Sequence, residues 1–350
     1  MAPITPENLY HRLQNIKAPD GGLMYPLPTC VRLTPLINEI NRLKREQNAV
    51  ILAHTYTTPE IIYGVADFVG DSYALSKDAM ATDAPTIVFA AVRFMAETAK
   101  ILNPDKQVLL PAVDGGCTLA DGITAAEVRV LRQKHPDYTF VCYINTTAEV
   151  KAACDVCVTS GNIVTVIANM PDEKIFFLPD GLMAHNLIRE LGKRNIKKDI
   201  RYHHGTCYAH EEFTVADVRR IKDKYPQIKV AAHPECKPEV CALADFIGST
   251  AQILDYMRTE PHQEFLMLTE EGLGNRLSVE FPQKRLLGPR KICRYMKSNT
   301  LESILDVLKQ PQPSHRIEVP EPIRVEALRC LKAMFAYTER SSLPQGSPNP

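Results

Sequence analysis

The chain has 350 residues, 45% of them hydrophobic, and its 41 lysines and arginines balance 41 aspartates and glutamates. Such a chain can bury a large core, which excludes a disordered protein and a small disulfide-stapled scaffold. Zero net charge argues against a broad electrostatic grip on nucleic acid or acidic lipid, so we expect neither as a partner.

The cellular compartment is suggested by hydropathy and by cysteine use. No apolar run approaches the roughly 20 residues that a helix needs to cross a bilayer. The first residues lack the charged start and apolar block of a signal peptide. The ten cysteines are expected to be mostly free thiols in a reducing compartment. We therefore expect a soluble cytoplasmic protein.

Short β-branched runs alternate with helix-length segments along most of the chain. Helices over 8–16 and 34–47 are predicted before the first run. The runs lie at 48–56, 67–72, 86–92, 107–113, 139–145, 156–161, 174–180, 199–205, 228–235, 245–250 and 264–272. Near-continuous apolar strands separated by helices are typical of buried parallel sheets in βαβ units. Two more helices are predicted over 299–309 and 322–340.

A repeat becomes visible when the ends of these strands are compared. The first strand of each set ends in a polar side chain, the second ends in a hydroxyl, and a cysteine follows the fourth. The positions are His54, Asn145 and His233, then Ser72, Ser160 and Thr250, and then Cys117, Cys207 and Cys293. Roughly 60 residues separate the first position from the cysteine in each set, which indicates an internal repeat.

The repeat predicts an α/β fold of three homologous three-layer α/β/α sandwich units with parallel sheets. We place N-terminal helices and the first unit at 1–125, the second unit at 126–215 and the third at 216–300. C-terminal helices at 301–340 would pack on the core, and 341–350 is interpreted as a disordered tail. Ligands of open α/β sheets bind beyond the carboxyl ends of strands. Units arranged around a pseudo-threefold axis would thus form an active site at the centre.

Three cysteines without a fourth suit a metal centre that keeps one coordination position open. Cys117, Cys207 and Cys293 come from distant parts of the chain and would suit a [4Fe–4S] cluster with one non-cysteinyl iron. That iron could act as a Lewis acid. Each cysteine taken alone is more often a buried packing residue, and this alternative stays open.

Other cysteines favour a structural interpretation. Cys154 and Cys157 form a C-x-x-C pair, a spacing that often signals a zinc or redox site. No second pair completes a zinc site, so we interpret them as core residues, together with Cys236 and Cys241.

Polar residues at the strand ends are candidates for binding and proton transfer. His233 and Glu235 lie two apart at a strand end, so their side chains share one side and could divide proton donation and abstraction. The same spacing joins His54 to Tyr56, and Tyr143 to Asn145. The hydroxyls that end the second strands precede predicted helices, where such groups ordinarily serve as N-caps. They could instead hold anions, because helix N-termini attract negative charge.

Several ordered motifs resemble those of the quinolinate synthase family over about residues 34–340. They are NAVILAHTYTTPEI, GDS, VRFMAETAKIL, CYINTTAEVKA, VTSG, GTCYAHEEF, AAHPEC, IGST and CRYMKSNTLESI. The resemblance implies the three-unit fold and a transferase of NAD biosynthesis. That enzyme condenses iminosuccinate with dihydroxyacetone phosphate to quinolinate, phosphate and water. A [4Fe–4S] cluster on Cys117, Cys207 and Cys293 is implied as well.

The resemblance also implies the remaining site residues. Substrate-binding positions would be His54, Ser72, Tyr143, Asn145, Ser160, His233, Glu235 and Thr250, and Tyr56 matches a catalytic tyrosine. We expect Glu235 to be the general base, with His233 and Tyr56 moving protons. Two positions depart from the family pattern. Thr55 replaces the first tyrosine of an H-Y-Y run, and Cys293 stands alone where some members carry C-x-x-C-x-x-C.

Partners and rival functions complete the expectations. By analogy with the family, an L-aspartate oxidase or an aspartate dehydrogenase would supply the unstable iminosuccinate. An aconitase-like [4Fe–4S] hydro-lyase acting on another hydroxy acid is the first alternative. A non-enzymatic iron–sulfur protein and a zinc-bound structural protein are the others.

Overall fold

The computed structural model describes residues 3–340, so the predicted tail at 341–350 lies outside the described residues. Twelve strands occur in the described part: β1 Ala49–His54, β2 Phe68–Gly70, β3 Thr86–Ala90, β4 Gln107–Leu109, β5 Thr139–Tyr143, β6 Val156–Val158, β7 Lys174–Leu178, β8 Asp199–Tyr202, β9 Lys229–Ala232, β10 Phe246–Ile247, β11 Glu264–Leu268 and β12 Arg285–Leu287. The last of these had no counterpart among the predicted runs, because it is short and half-exposed.

The strands form three separate sheets with the same parallel strand order. The orders are β2-β1-β3-β4, β6-β5-β7-β8 and β10-β9-β11-β12. This confirms the predicted α/β fold with three parallel sheets. In each sheet the second and third strands lie on opposite sides of the first strand. The connections that leave the first two strands therefore diverge, and a crevice forms between them at the carboxyl ends of the strands. The domain boundaries drawn at 125, 215 and 300 stay a prediction.

Helices cover the faces of the sheets. They are α1 Pro6–Leu13, α2 Leu27–Glu46, α3 Pro59–Gly64, α4 Ser72–Ala81, α5 Arg93–Leu102, α6 Ala125–Lys134, α7 Ala148–Ala152, α8 Ile163–Asn169, α9 Gly181–Lys193, α10 Tyr208–Glu211, α11 Val215–Lys224, α12 Pro238–Cys241, α13 Thr250–Thr259, α14 Glu271–Glu280, α15 Arg294–Lys297, α16 Leu301–Lys309 and α17 Glu321–Glu339. Among the described residues, no helix has the length and apolarity that a membrane span requires.

Helix α2 begins seven residues earlier than the helix predicted over 34–47. Proline is normally excluded from helix interiors because it lacks the backbone N–H that donates within the helix. Pro35 nevertheless lies inside α2. The turns before it bury Cys30 and Leu33, and this packing outweighs the loss of one backbone hydrogen bond.

The three sheets also share one hydrogen bond, which an aspartate before the second strand makes in each of them. Asp67, Asp155 and Asp245 each accept a backbone N–H from the first strand of their own sheet. The donors are Ile51 at 2.8 Å, Phe140 at 2.8 Å and Val230 at 2.9 Å. Each carboxylate also pairs with a cation, namely Lys44, Arg132 or Lys229.

The two C-terminal helices attach to different sheets. Helix α16 packs against α2, which covers the first sheet. Helix α17 packs against α7, β6 and α8 of the second sheet. Its buried face includes Cys330 and Leu331, and Cys330 Sγ lies 3.7 Å from Cys142 Sγ of β5. Helix α17 therefore covers the β6 edge of the second sheet.

Candidate active site

One cavity lies where the carboxyl ends of the three sheets meet. Every site residue named from the sequence lines it. They are His54, Tyr56, Ser72, Cys117, Tyr143, Asn145, Ser160, Cys207, His233, Glu235, Thr250 and Cys293. The structure therefore brings together residues from three units that are far apart in the sequence. The roles of these residues stay proposals.

None of the hydroxyls of Ser72, Ser160 and Thr250 is a helix N-cap, so that interpretation is wrong; the N-cap position of α8 is Asn162. Asp71 caps α4 by accepting the Ala74 N–H, and Ser249 caps α13 in the same way. Ser72 and Thr250 are the first residues of these helices, so their hydroxyls do not cap them. The Thr250 hydroxyl instead donates to the Tyr56 phenol oxygen at 3.0 Å. In both helices the N-cap is thus the residue before the predicted one, because its side-chain oxygen is the one that accepts the backbone N–H of the first turn.

His54 and His233 are held in the same way at the ends of β1 and β9. Nδ1 of each ring accepts the backbone N–H two residues later, from Tyr56 at 3.1 Å and from Glu235 at 3.4 Å. Burial lowers the pKa of both rings to about 3. Both imidazoles are therefore neutral near pH 7, with the proton on Nε2, and each can donate one hydrogen bond.

Glu235 is a buried carboxylate that receives a donor at each oxygen. The Tyr143 hydroxyl donates to Oε1 at 2.6 Å, and His210 Nδ1 lies 2.8 Å from Oε2. Burial alone would raise the pKa of Glu235, but His210, His233 and these hydrogen bonds together hold it well below its usual value. Burial and the neighbouring carboxylate raise the pKa of Tyr143 well above its usual value. The pair is thus an ionised carboxylate and a neutral phenol.

His210 and Thr269 complete a chain of hydrogen bonds that the sequence did not predict. His210 Nε2 lies 3.2 Å from Thr269 Oγ1, which lies 2.7 Å from the Tyr56 hydroxyl oxygen. The chain therefore runs from Glu235 to Tyr56 across all three units. His210 follows Cys207 by three residues in GTCYAHEEF, a signal that could have been used. Thr269 has no local signal, because its role depends on contacts between distant segments.

The three cysteines fit an iron–sulfur centre by their chemistry and placement. Cys117, Cys207 and Cys293 are half-buried and form no disulfide, and they line the same cavity. Burial raises the pKa of Cys117 to about 12 and also raises the pKa values of Cys207 and Cys293. The Glu235 carboxylate and the other thiols add to the shifts of Cys117 and Cys207. A cationic metal centre would replace these protons and satisfy three soft donors.

The arrangement fits one zinc ion on the three cysteines less well. Zn–S bonds of about 2.3 Å place the sulfurs of a tetrahedral ion about 3.8 Å apart. In residues 3–340, the set of three ligand atoms found within 4.8 Å of one another comprises Cys207, His210 and Glu235 instead. Their closeness follows from His210 Nδ1, which lies 3.3 Å from Cys207 Sγ and also contacts Glu235.

Glu270 and Lys297 tie the Cys293 loop to the first unit and were also missed from the sequence. Glu270 is fully buried, lines the cavity and accepts the Cys293 backbone N–H at 3.1 Å. Lys297 Nζ lies 2.9 Å from Glu270 Oε1 and donates to the Tyr56 carbonyl at 2.6 Å. Burial raises the pKa of Glu270, and Lys297 opposes this shift.

The four cysteines interpreted as core residues do not line the cavity. Cys154, Cys157 and Cys236 are 0% exposed, and Cys241 is 1% exposed. Cys142 and Cys157 are register partners on β5 and β6, so the C-x-x-C pair lies within the core of the second sheet.

Known proteins match this chain over most of its length. A family model described as quinolinate synthetase A protein matches residues 38–336. Quinolinate synthase 1 of Mesorhizobium japonicum is 46% identical over 274 residues, which are 78% of this chain and 83% of that protein. Quinolinate synthase of Caldicellulosiruptor bescii is 46% identical over 302 residues, which are 86% of this chain and 97% of that protein. That of Xylella fastidiosa is 43% identical over 300 residues, 86% of each chain. With its three repeated sheets and one shared cavity, the chain belongs to the quinolinate synthase family.

Proposed function

We propose that this chain condenses iminosuccinate with dihydroxyacetone phosphate and releases quinolinate, phosphate and water. Family membership makes it a quinolinate synthase, an enzyme of NAD biosynthesis. The observation that carries the detailed proposal is the single cavity in which all predicted site residues lie. This membership also disfavours the non-enzymatic alternative named above.

Both substrates are anions, and the cavity offers neutral donors to hold them. The hydroxyls of Ser72, Ser160 and Thr250 and the amide of Asn145 would bind the carboxylates and the phosphate. His54 would add a neutral Nε2–H donor, which its low pKa keeps uncharged. Neutral donors bind anions without the desolvation cost of a buried cation.

Glu235 would remove the proton from the substrate carbon that forms the new bond. Tyr143 and His210 orient its carboxylate, and its depressed pKa keeps it ionised. Tyr56 would return protons in the later dehydrations, because burial raises its pKa well above the usual value and keeps the phenol protonated. His233 would stabilise the intermediates through Nε2–H.

Cys117, Cys207 and Cys293 would hold a [4Fe–4S] cluster, since their thiols are the soft donors that such clusters take. When bound, the cluster supplies one iron with an open position that can polarise a substrate hydroxyl as a Lewis acid. The substrates and products together show no net oxidation or reduction. No residue is therefore needed to transfer electrons.

The supplier of iminosuccinate and the compartment are further parts of the proposal. Iminosuccinate is unstable in water, so an L-aspartate oxidase or an aspartate dehydrogenase must form it where this enzyme works. The compartment proposed is the cytoplasm. All ten cysteines are free thiols, which supports a reducing environment.

The proposal is tested by separating cluster assembly from turnover. Cys207→Ser should fold but lose iron, because a hydroxyl is a poor ligand for the cluster. Glu235→Gln should retain iron and lose turnover by at least about 100-fold, as expected for a general base. Iron and sulfide per chain and quinolinate formation are measured after anaerobic reconstitution. Cys30→Ala, a buried cysteine in α2, is the control and should keep both.

Three outcomes would contradict parts of the proposal. A normal iron content in Cys207→Ser would remove that cysteine from the ligand set. Full turnover of Glu235→Gln would remove the carboxylate from the role of base. A loaded wild-type protein that dehydrates a hydroxy acid but forms no quinolinate would favour the aconitase-like alternative.

A further inference from the structure

Lys151 is a fully buried lysine outside the cavity, and the reaction proposed above does not use it. It lies in α7 and is 0% exposed. Its Nζ donates to the carbonyl of Ile144 at 2.8 Å and to the carbonyl of Thr146. These two carbonyls flank Asn145, which lines the cavity. A single ammonium group therefore clamps both sides of one substrate-binding residue.

The clamp belongs to a tightly ordered turn that begins at the end of β5. Ile144 N–H donates to the Val158 carbonyl at 2.8 Å, and the Thr146 hydroxyl donates to the Tyr143 carbonyl at 2.8 Å. Ile144 and Thr146 are buried, so their carbonyls need protein donors. Without Lys151 these bonds would be lost, and the turn that aims Tyr143 and Asn145 would be free to relax.

The direction of the two carbonyls also matters for anionic substrates. No lysine or arginine side chain lines the cavity within the described part of the chain, whereas Asp71, Glu235 and Glu270 do. Carbonyl oxygens turned toward the cavity would repel the carboxylates and phosphate of the substrates. Lys151 does not itself line the cavity, and its Nζ lies 5.6 Å from the ring centre of the cavity residue Phe94. Hydrogen bonds from this ammonium occupy both oxygens and so reduce the repulsion.

We infer that Lys151 is a positioning residue that holds Asn145, and with it Tyr143, in the orientation that binds the dicarboxylate. This inference rests on the proposed substrate-binding role of Asn145. It assigns the lysine of the CYINTTAEVKA motif a function in substrate affinity, in addition to packing.

The test is a double-mutant cycle between Lys151→Met and Asn145→Ala. The probe is quinolinate, a stable dicarboxylate, and its Kd is measured by calorimetry on anaerobically reconstituted protein. Each single variant should weaken binding by about 10- to 100-fold, since small misplacements of binding groups have effects of this size. The double variant should be no weaker than the worse single one, because both changes remove the same interaction.

Lys198→Met is the matched control. Lys198 Nζ also donates to two carbonyls, of Met170 at 2.7 Å and of Asp172 at 2.8 Å, but these lie at the amino end of β7. Its loss should lower the melting temperature and leave the Kd for quinolinate unchanged. Equal iron content in all variants would show that the effect on Kd does not come from cluster loss.

The outcomes separate the inference from the proposed site. Additive losses in the cycle, or an unchanged Kd in folded Lys151→Met, would overturn the positioning role while leaving the site intact. An unchanged Kd in Asn145→Ala would overturn the binding site itself, and the inference with it. If Lys151→Met does not fold, Lys151→Arg takes its place in the cycle. Lys151→Arg should weaken quinolinate binding when introduced into the wild-type chain, but should cause no further loss when Asn145→Ala is already present.

Discussion

His54 and His233 show how much of the site is decided within two residues of a strand end. In both cases a parallel strand ends at or just before the histidine, and the backbone N–H two residues later donates to its Nδ1. This local contact sets the tautomer, so the ring presents Nε2–H to the cavity. The spacing of i and i+2 that the sequence displays therefore reflects a turn in which the ring of residue i accepts the backbone N–H of residue i+2.

The two rings predict a loss of stability in acid. Their pKa is about 3 in the folded chain, against about 6.5 for an unfolded histidine. Between these values the unfolded chain binds more protons, so the free energy of unfolding falls as the pH falls from 6.5 toward 3. Urea unfolding of the apo-protein at several pH values measures the slope. His54→Gln should make the slope shallower, and an unchanged slope would show that His54 is not the group responsible.

At the scale of secondary-structure elements, the repeated aspartates set the pairing of the first two strands of each sheet. Asp155 accepts the Phe140 N–H at 2.8 Å and pairs with Arg132. This anchors the start of β5, whose other end carries Tyr143. Short strands of three residues such as β6 pair weakly by themselves, so side-chain anchors of this kind matter for their register.

Removing one anchor should lower stability without touching the cavity. Asp155→Ala leaves a buried N–H without its acceptor and should reduce the free energy of unfolding by about 1–3 kcal/mol. Asp137→Ala is the control. Asp137 is exposed, and its ion pair with Lys174 Nζ, at 3.6 Å, lies on the surface. Its effect should stay within about 0.5 kcal/mol. Equal effects in denaturant titrations would argue that Asp155 is not an anchor.

At the scale of the whole molecule, one cysteine from each unit reaches the same cavity. A group bound by Cys117, Cys207 and Cys293 would therefore connect segments of the chain that no disulfide joins. Contacts such as Lys297 with the Tyr56 carbonyl already cross between units. Binding to the folded state alone stabilises that state by mass action.

Loading the cluster should thus raise the melting temperature of the entire chain. Anaerobically reconstituted wild type should melt above its apo form by several degrees, and chelation of iron should reverse the shift. Cys293→Ser carried through the same reconstitution should show little or no rise. An equal rise in the variant would mean that the stabilising iron is bound elsewhere.

The sequence by itself determined the class of fold and most members of the site. Positions just beyond the strands, such as Ser72 and Thr250, and the cysteines that follow the fourth strands recur with nearly constant spacing. Parallel βαβ units place such positions at one edge, so local periodicity was sufficient. The exact N-caps were not predicted, because Asp71 and Ser249 compete with the neighbouring hydroxyls at a distance of one residue.

The tertiary structure decided which other groups reach those positions. Thr269 contacts Tyr56 across 213 residues of sequence, and His210 contacts Thr269 across 59. Glu270 likewise reaches the first unit through Lys297, whose Nζ donates to the Tyr56 carbonyl across 241 residues. Such partners depend on how the three sheets pack around one cavity. No spacing within a single unit encodes that packing, because it arises only when all three units are in contact.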